Sequence, residues 1–241
     1  MSGYIDLHCH WIPGIDDGAT SIDESLQMLR GLAGAGFELV VATPHMRPGL
    51  FDNLRSDLEA AFARVEPELG AASGLPRVAL SSEHYLDDVV FQRLLDGSGL
   101  PYPGAQSVLV ELYGMNQPVA LEHRFADLRR RGILPVIAHP ERYGYVWKDP
   151  EALERFVDTG AAALLNAAAL VGKYGRQVRK TAEQLLEAGL YHAACSDAHS
   201  PDDIRALEQG MARIRKRYGD EEIDFLFREG PSAILAGRVP T

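Results

Sequence analysis

The sequence predicts an α/β fold in which seven strand–helix units close into a barrel. Short β-rich runs alternate with longer amphipathic runs along the chain, which is the order of a parallel sheet whose strands are joined by helices. About seven such repeats suit a closed barrel better than an open sheet. The chain has 241 residues, 46% of them hydrophobic, which is enough for one large core, so we expect a single domain over residues 1–241.

Short β-rich runs predict the strands. They are Tyr4–Leu7, Leu39–Thr43, Val78–Ser82, Ser107–Leu112, Leu134–Ala138, Ala162–Asn166 and Tyr191–Cys195. Catalytic side chains of a parallel barrel lie at the carboxyl ends of its strands. Polar residues at those ends are therefore the candidates for function.

Longer runs with a helical spacing of apolar residues predict the helices. They are Ser21–Ala35, Asp52–Leu69, Pro118–Arg131, Pro150–Thr159, Gln177–Ala188 and Pro201–Tyr218, with a shorter candidate at Ile223–Arg228. Ser21 and Glu24 have the spacing of a capping box, in which each side chain bonds the other residue's backbone N–H. Gly36 and Gly132 follow predicted helix ends, where a left-handed residue is favoured.

Composition and charge exclude several classes of function. The formal net charge is −10, from 34 acidic and 24 basic residues, which disfavours general binding to nucleic acid or to an anionic membrane. The longest apolar run is too short to span a bilayer, and the first residues lack a signal-peptide pattern, so we expect a soluble, cytoplasmic protein. Cys9 and Cys195 are too few for a disulfide framework, and we expect both to be buried.

Six of the seven predicted strands end in His, Asp or Glu. The two-residue period of an extended chain places His8 and His10 on one face of the first strand. Such a pair alone also occurs as buried, hydrogen-bonded histidines, but six strand ends converging on one rim favour a metal site. The candidate ligands from this pattern are His8, His10, His45, Glu83, Glu111, His139, Asp197 and His199.

This set of ligands predicts a cluster of ions. Eight nitrogen and oxygen ligands exceed the four to six that one ion takes, so we expect two or three divalent ions. Imidazole and carboxylate ligands without thiolate suit Mn²⁺, Fe²⁺, Zn²⁺ or Co²⁺ and argue against a structural zinc. Glu83 is the natural bridge between two ions. The remaining histidines, His84, His123 and His192, are predicted to be structural.

Five motifs carry a resemblance to the polymerase-and-histidinol-phosphatase (PHP) superfamily. They are Asp6–His10, Asp16–Gly18, Thr43–His45, Ala138–Tyr143 and Ser196–His199. Within the superfamily the chain resembles the bacterial protein-tyrosine phosphatases linked to capsular and exopolysaccharide synthesis, and the similarity covers nearly the whole chain. The resemblance implies a distorted (β/α)₇ barrel and a phosphotyrosyl protein, a bacterial tyrosine kinase, as partner. It makes Mn²⁺ the expected ion, with Fe, Zn, Co and Mg as alternatives.

The resemblance also implies how the ligands are shared. It adds Asp17, which the sequence alone would place in a turn of solvated acids, and it assigns the ligands to three ions. The implied sets are His8, His10, Glu83 and Asp197 for the first ion, Glu83, Glu111 and His139 for the second, and Asp17, His45 and His199 for the third. Asp17 and Glu111 stand where many other members of the superfamily have His.

The expected mechanism is hydrolysis of a phosphate ester without a covalent enzyme intermediate. A cysteine-dependent phosphatase needs Arg six positions after its nucleophile, whereas Cys9 leads to Ile15 and Cys195 to Pro201. Bound divalent ions would instead lower the pKa of a water that attacks phosphorus in line with the leaving oxygen. The general acid stays open between a metal-bound water and a nearby carboxyl group such as Asp197 or Asp16.

Three arginines are candidates to bind the phosphoryl oxygens. Arg142, three residues after His139, is the first candidate, and the alternative is a surface pair between Arg142 and Glu141. Arg47 and Arg205 are further candidates at the mouth of the site.

Alternatives to protein-tyrosine phosphatase activity remain open at this point. One is a small-molecule phosphomonoesterase that resembles histidinol phosphatase, and another is a phosphodiesterase, both on the same metal site. A further alternative is a metal-binding regulatory domain without turnover.

Overall fold

Seven strand positions close into a parallel barrel in the computed structural model, which describes residues 3–104, 106–117 and 119–240. On one side β1 (Tyr4–Cys9) pairs with β2 (Phe37–Ala42), and β2 pairs with β4 (Arg77–Leu80). The other strands pair in the order β3 (His45–Met46), β5 (Glu83–Tyr85), β6 (Ser107–Glu111), β7 (Leu134–Ala138), β8 (Ala162–Asn166) and β9 (Ala193–Cys195).

Two strand positions each consist of two short strands. Thr43 and Pro44 separate β2 from β3, because proline has no N–H to donate to the ladder. The gap between β4 and β5 lies beside the gap between β2 and β3, and there the Ser82 hydroxyl donates to the carbonyl of Pro44 at 2.8 Å. The barrel closes where a parallel bridge pairs Cys9 with Ala198.

Helices surround the barrel. They are α1 (Ile22–Gly34), α2 (Arg55–Ala71), α3 (Asp88–Asp96), α4 (Leu121–Arg130), α5 (Gly144–Lys148), α6 (Glu151–Asp158), α7 (Arg176–Glu187), α8 (Asp203–Tyr218), α9 (Asp220–Asp224) and α10 (Gly230–Leu235). Short 3₁₀ turns follow β7 and β8, and a π-helical turn follows α9. No helix within the described ranges is both long and apolar enough to cross a membrane.

Alternating strand residues divide the apolar core into an inner and an outer part. Leu39 and Val41 of β2 belong to the same buried cluster as Leu134 and Val136 of β7, which fills the barrel. Val40, between the first two, belongs instead to the cluster that packs against the helices. The inner apolar column gives way to polar side chains at the carboxyl ends of the strands, so that end carries the candidate site.

The predicted barrel is confirmed, and the differences lie in strand ends, in helix ends and in three short helices that the sequence pattern misses, which are α3, α5 and α10. α4 begins at Leu121, and the predicted start at Pro118 lies outside the described residues. The sequence pattern misses α3 altogether. The capping box of α1 is half formed: Ser21 Oγ accepts from the N–H of Glu24 at 3.3 Å, whereas the Glu24 carboxylate accepts from Thr20.

Candidate metal centre

The candidate ligands meet at the carboxyl ends of the strands, around a cavity of about 100 Å³. His8 and His10 are fully buried. The residues lining the cavity are Asp17, His45, Arg47, Glu83, Glu111, His139, Arg142, Asp197 and His199. The candidate ligands predicted from the sequence therefore lie close together in the fold, although up to about 190 positions separate them in the chain.

Glu83 lies at the centre of the cluster. Its Oε1 is 3.0 Å from His139 Nε2 and 3.4 Å from His8 Nε2, and its Oε2 is 3.1 Å from His45 Nδ1 and 3.5 Å from His10 Nε2. Burial raises the pKa of the Glu83 carboxyl, but the neighbouring His8 and His45 outweigh it and hold the pKa well below its usual value. An ionised carboxylate with two oxygens reached from opposite sides has the form of a bridging ligand.

Four overlapping groups of side chains have ligand atoms close enough to share an ion. The groups are His10, Asp17, His45 and His199; His8, His10 and Asp197; His8, Glu83 and His139; and His45, Glu83 and Glu111. The first group is the third set implied by the family motifs with His10 added. The second group is the first implied set without Glu83. Glu111 is grouped with His45, whereas the motifs imply a set with His139.

Unpartnered buried atoms show that this cluster fits a cation. His8 Nε2, His10 Nε2, His45 Nδ1, His139 Nδ1 and Glu111 Oε2 are buried and have no hydrogen-bond partner among the residues that the structure describes. Leaving such atoms unpaired costs stability, and a coordinated divalent ion would satisfy them. Nitrogen and carboxylate donors without thiolate suit the divalent ions expected from the sequence.

Two hydrogen bonds to Nδ1 orient the rings of His10 and His8. The Nδ1–H of His10 donates to Asp16 Oδ2 at 2.8 Å, and His8 Nδ1 is 2.6 Å from Thr43 Oγ1. A metal-binding histidine commonly bonds a carboxylate or carbonyl through its other ring nitrogen, which fixes the ring and frees Nε2 for the ion. Asp16 thus supports the candidate ligand His10 through a hydrogen bond. Burial raises the pKa of Asp16, but the His10 ring outweighs it and the pKa is lowered, which disfavours a proton-donating role.

The backbone is strained at two candidate ligands. His139, directly after β7, has φ 34° and ψ 57°, and Asp197, two residues after β9, has φ 46°. Non-glycine residues rarely adopt positive φ, and such strain of about 1–3 kcal/mol persists at functional sites where the surroundings impose it. At both positions the turn directs the side chain back toward the cavity.

The predicted arginines have different positions. Arg142 Nη1 donates to Asp197 Oδ2 at 2.9 Å, and its guanidinium lies 4.9 Å from the ring centre of Tyr174. Arg142 therefore pairs with Asp197 and not with Glu141, which is fully buried and accepts from other residues. Arg47 also lines the cavity, but Arg205 is exposed on α8 and is not among the described lining residues.

Sequence reasoning missed two residues that support the site. Asn166 ends β8, the one strand to which no ligand was assigned, and its amide donates to Asp197 Oδ2 at 2.9 Å. Glu141 accepts from the N–H of Asn166 at 3.0 Å and from the Tyr191 hydroxyl at 2.8 Å. Including amides in the search of strand ends would have found Asn166.

Two of the three histidines predicted to be structural have structural roles, and the third, His123, is exposed on α4. His84 Nδ1–H donates to the Leu109 carbonyl at 2.8 Å, while its Nε2 accepts from the N–H of Leu100. His192 Nδ1 accepts from the N–H of Ala163 at 3.1 Å. Cys9 and Cys195 are buried free thiols, and burial raises the pKa of both well above the usual value, so neither provides a thiolate.

Residues 4–236 match the model of the capsular polysaccharide synthesis family CpsB/CapC. The chain belongs to this family. The tyrosine-protein phosphatase YwqE of Bacillus subtilis is 29% identical over 96% of this chain and 91% of that protein. The putative tyrosine-protein phosphatase CapC of Staphylococcus aureus is 26% identical over 98% and 90%. The tyrosine-protein phosphatase CpsB of Streptococcus pneumoniae is 25% identical over 96% and 98%.

Two solved structures resemble this chain in fold. One belongs to a pair formed by YwqE from Bacillus subtilis and CpsB from Streptococcus pneumoniae, described as unique metal-dependent tyrosine phosphatases. Its TM-score is 0.89 at 29% identity, over 98% of this chain and 96% of that chain. A phosphotriesterase homology protein from Escherichia coli has a TM-score of 0.56 at 12% identity, over 97% and 99% of the two chains, which shows a likeness of fold alone.

Proposed function

We propose that this protein is a metal-dependent protein-tyrosine phosphatase that hydrolyses phosphotyrosine monoesters. The observation that carries the proposal is the cluster of unpartnered imidazole and carboxylate atoms around Glu83, with Arg142 beside it. The proposed ligands are His8, His10, Asp17, His45, Glu83, Glu111, His139, Asp197 and His199. When bound, divalent ions would supply a water of lowered pKa and positive charge next to the phosphoryl group.

The chain's own residues prepare the site for an anionic substrate. Arg142 is held by Asp197 on one side and by the ring of Tyr174 on the other, so its guanidinium is oriented before substrate arrives. A guanidinium suits phosphoryl oxygens because it donates two parallel hydrogen bonds. Arg47 also lines the cavity, with Nη1 3.6 Å from Glu111 Oε2, and adds a second positive charge.

Proton transfer to the leaving oxygen is not assigned to Asp16 or Asp197. Burial raises the pKa of Asp197, but His8 outweighs it and holds the pKa well below the usual value. Asp16 is likewise held ionised by His10. Both carboxylates therefore orient neighbouring groups: Asp16 holds His10, and Asp197 holds Arg142. We propose no catalytic role for Arg205, given its exposed position on α8.

Three finer assignments are part of this proposal. Mn²⁺ is the proposed native ion, two or three ions bind per chain, and residues 1–241 form one domain. The proposed substrate is a phosphotyrosyl protein of the polysaccharide machinery, a bacterial tyrosine kinase, because the family is that of capsular polysaccharide synthesis. The proposed location is the cytoplasm, where such a kinase would present its phosphotyrosines.

A substrate panel tests the proposal against its alternatives. The purified protein, loaded with Mn²⁺, is assayed on a phosphotyrosyl peptide, on histidinol phosphate and on a dinucleotide. We expect the phosphotyrosyl peptide to have the highest kcat/KM. A preference for histidinol phosphate or the dinucleotide would favour the small-molecule or phosphodiesterase alternative. Failure to hydrolyse any of the three would favour a regulatory metal-binding domain.

A further inference from the structure

A second layer of side chains stands above the candidate ligands, on β5 and on the segments directly after β3 and β6. Each member follows a ligand by two residues. Two residues of extended chain advance by about 6.6 Å and return the side chain to the same face. That advance is comparable to the span from a phosphoryl group to the far side of a phenyl ring esterified to it. There are three such pairs, each given as the ligand and then the residue above it: His45 and Arg47, Glu83 and Tyr85, and Glu111 and Tyr113.

The three upper side chains form a continuous row. The Arg47 guanidinium lies 4.2 Å from the ring centre of Tyr85, and the ring centres of Tyr85 and Tyr113 are 5.0 Å apart at an interplanar angle of 54°. Arg47 lines the cavity of the candidate metal centre, whereas Tyr113 lines a neighbouring groove of about 460 Å³. The row therefore leads from the metal site to the surface.

Exposed apolar side chains lie on this side of the mouth. Tyr113 is 42% exposed, so one part of its ring is free to contact a ligand. The large hydrophobic side chains exposed among the described residues lie on segments that follow β3, β5 and β6. They are Leu50, Leu54, Val89, Tyr113, Met115 and Val119. Of these, Tyr113, Met115 and Val119 line the same groove, and exposed apolar side chains grouped in this way mark a surface that binds apolar ligand groups.

We propose that Arg47, Tyr85 and Tyr113 form an aryl ledge, which holds the phenyl ring of phosphotyrosine while the phosphoryl group enters the metal site. The ledge selects aryl over alkyl phosphomonoesters, and this inference rests on the proposed phosphatase function. The Arg47 guanidinium packs against one face of the Tyr85 ring and fixes its position. Tyr113 is therefore the main contact for the phenyl ring of the substrate. Ring pairs favour offset or edge arrangements, which a tilted pair of tyrosines can offer to a third ring.

Two phosphonates separate the ledge from the metal site. Phenylphosphonate and methylphosphonate share the charged group and differ in the ring, and each is measured as a competitive inhibitor of p-nitrophenyl phosphate hydrolysis by the Mn²⁺-loaded enzyme. Tyr113→Leu is expected to raise the inhibition constant of phenylphosphonate about fivefold, and Tyr85→Leu about twofold to threefold. Neither variant should change the constant of methylphosphonate by more than about twofold.

Matched variants control the experiment. Tyr113→Phe keeps the ring and should retain the wild-type preference for phenylphosphonate. Tyr174→Leu, on the Arg142 side of the mouth, should weaken both inhibitors by the same factor. Equal changes for both phosphonates in Tyr113→Leu, or an unchanged constant for phenylphosphonate, would overturn the aryl ledge while turnover by the wild type upholds the phosphatase. No turnover of p-nitrophenyl phosphate by the wild type would overturn both.

Discussion

Replacing Asp16 with asparagine removes a negative charge and one oxygen acceptor from the side chain that supports His10 and His45 of the candidate metal centre. Oδ2 of Asp16 accepts from His10 Nδ1 at 2.8 Å and from the N–H of His45 at 3.1 Å, and Oδ1 accepts from the N–H of Gly18 at 3.0 Å. An amide has one oxygen, so in either orientation its NH₂ group faces at least one of these donors. The substitution therefore either loses the bonds to His10 and His45, or keeps them as bonds to a neutral acceptor and loses the bond to Gly18. Both outcomes weaken the support of the two histidines without changing the volume of the side chain.

The size of the effect follows from the bond to His10. A hydrogen bond to a charged group contributes about 1.5–3 kcal/mol, and each 1.4 kcal/mol is tenfold in an equilibrium constant, so Mn²⁺ affinity should fall about 10–100-fold. Isothermal titration of Mn²⁺ into the metal-free protein measures this change. Asp23→Asn, an exposed position in the first turn of α1, is the matched control and should bind Mn²⁺ as the wild type does.

Two measurements keep this prediction falsifiable. Thermal unfolding of the metal-free Asp16→Asn variant shows whether the fold is retained. If that variant is folded and binds Mn²⁺ within twofold of the wild type, Asp16 does not support the metal centre and the assignment of His10 as a ligand loses its main support.

Further predictions concern the arginine, the protonation of the site and the packing around it. Arg142→Ala should lower kcat/KM for phosphotyrosine about 100-fold with metal content unchanged, measured by steady-state kinetics and elemental analysis. Burial lowers the pKa of His8, but Glu83 and Asp197 outweigh it and raise the pKa to about 9. Mn²⁺ should therefore displace protons at pH 7 and bind more tightly as the pH rises toward 9, which titrations in buffers of different ionisation enthalpy detect. Gly210→Ala should lower the free energy of unfolding by more than about 2 kcal/mol, because a Cβ there would lie 2.2 Å from a backbone carbonyl oxygen.

Each of these has an outcome that contradicts it. Full turnover of an aryl phosphate by Arg142→Ala would remove that side chain from the mechanism. Mn²⁺ binding at pH 7 without proton release would mean that His8 is already neutral. Gly34→Ala, with open space at its Cβ, is the control for Gly210→Ala in chemical denaturation, and equal stabilities of the two variants would refute the packing argument.

The sequence predicts most strands of this protein well because they are short runs rich in apolar residues. Ala162–Asn166 and Leu134–Ala138 have the predicted bounds, since Gly and Pro mark the adjoining turns. The predicted runs end at Thr43 and Ser82, so they miss β3 and β5, the short strands that follow the interruptions at Thr43–Pro44 and Ser81–Ser82. The helix Asp88–Asp96 is missed although Asp87 caps it by accepting from the N–H of Val90, because its short segment separates two regions read as strand and loop.

Eight of the nine candidate ligand positions follow from one rule, whereas Asp17 comes from the family motifs and the supporting residues come from neither. Strand ends deliver the candidate ligands in a barrel, so the rule finds them without knowledge of distances. It cannot find that Glu141 is buried, because that depends on a hydrogen bond from Tyr191, which lies 50 positions away in the segment before β9. Nor can it place Arg205, since a spacing of six from His199 does not reveal which face of α8 looks toward the cavity. Side-chain direction on a helix depends on packing that no local motif encodes.

Removal and return of metal tests the central claim most directly. The protein is stripped with a chelator, its metal content is checked by elemental analysis, and hydrolysis of a phosphotyrosyl peptide is followed while Mn²⁺ is added back. We predict no turnover without metal and recovery that saturates at about two or three ions per chain, with Glu83→Gln failing to recover. Undiminished turnover by the stripped protein, or saturation with Glu83→Gln as with the wild type, would contradict the account.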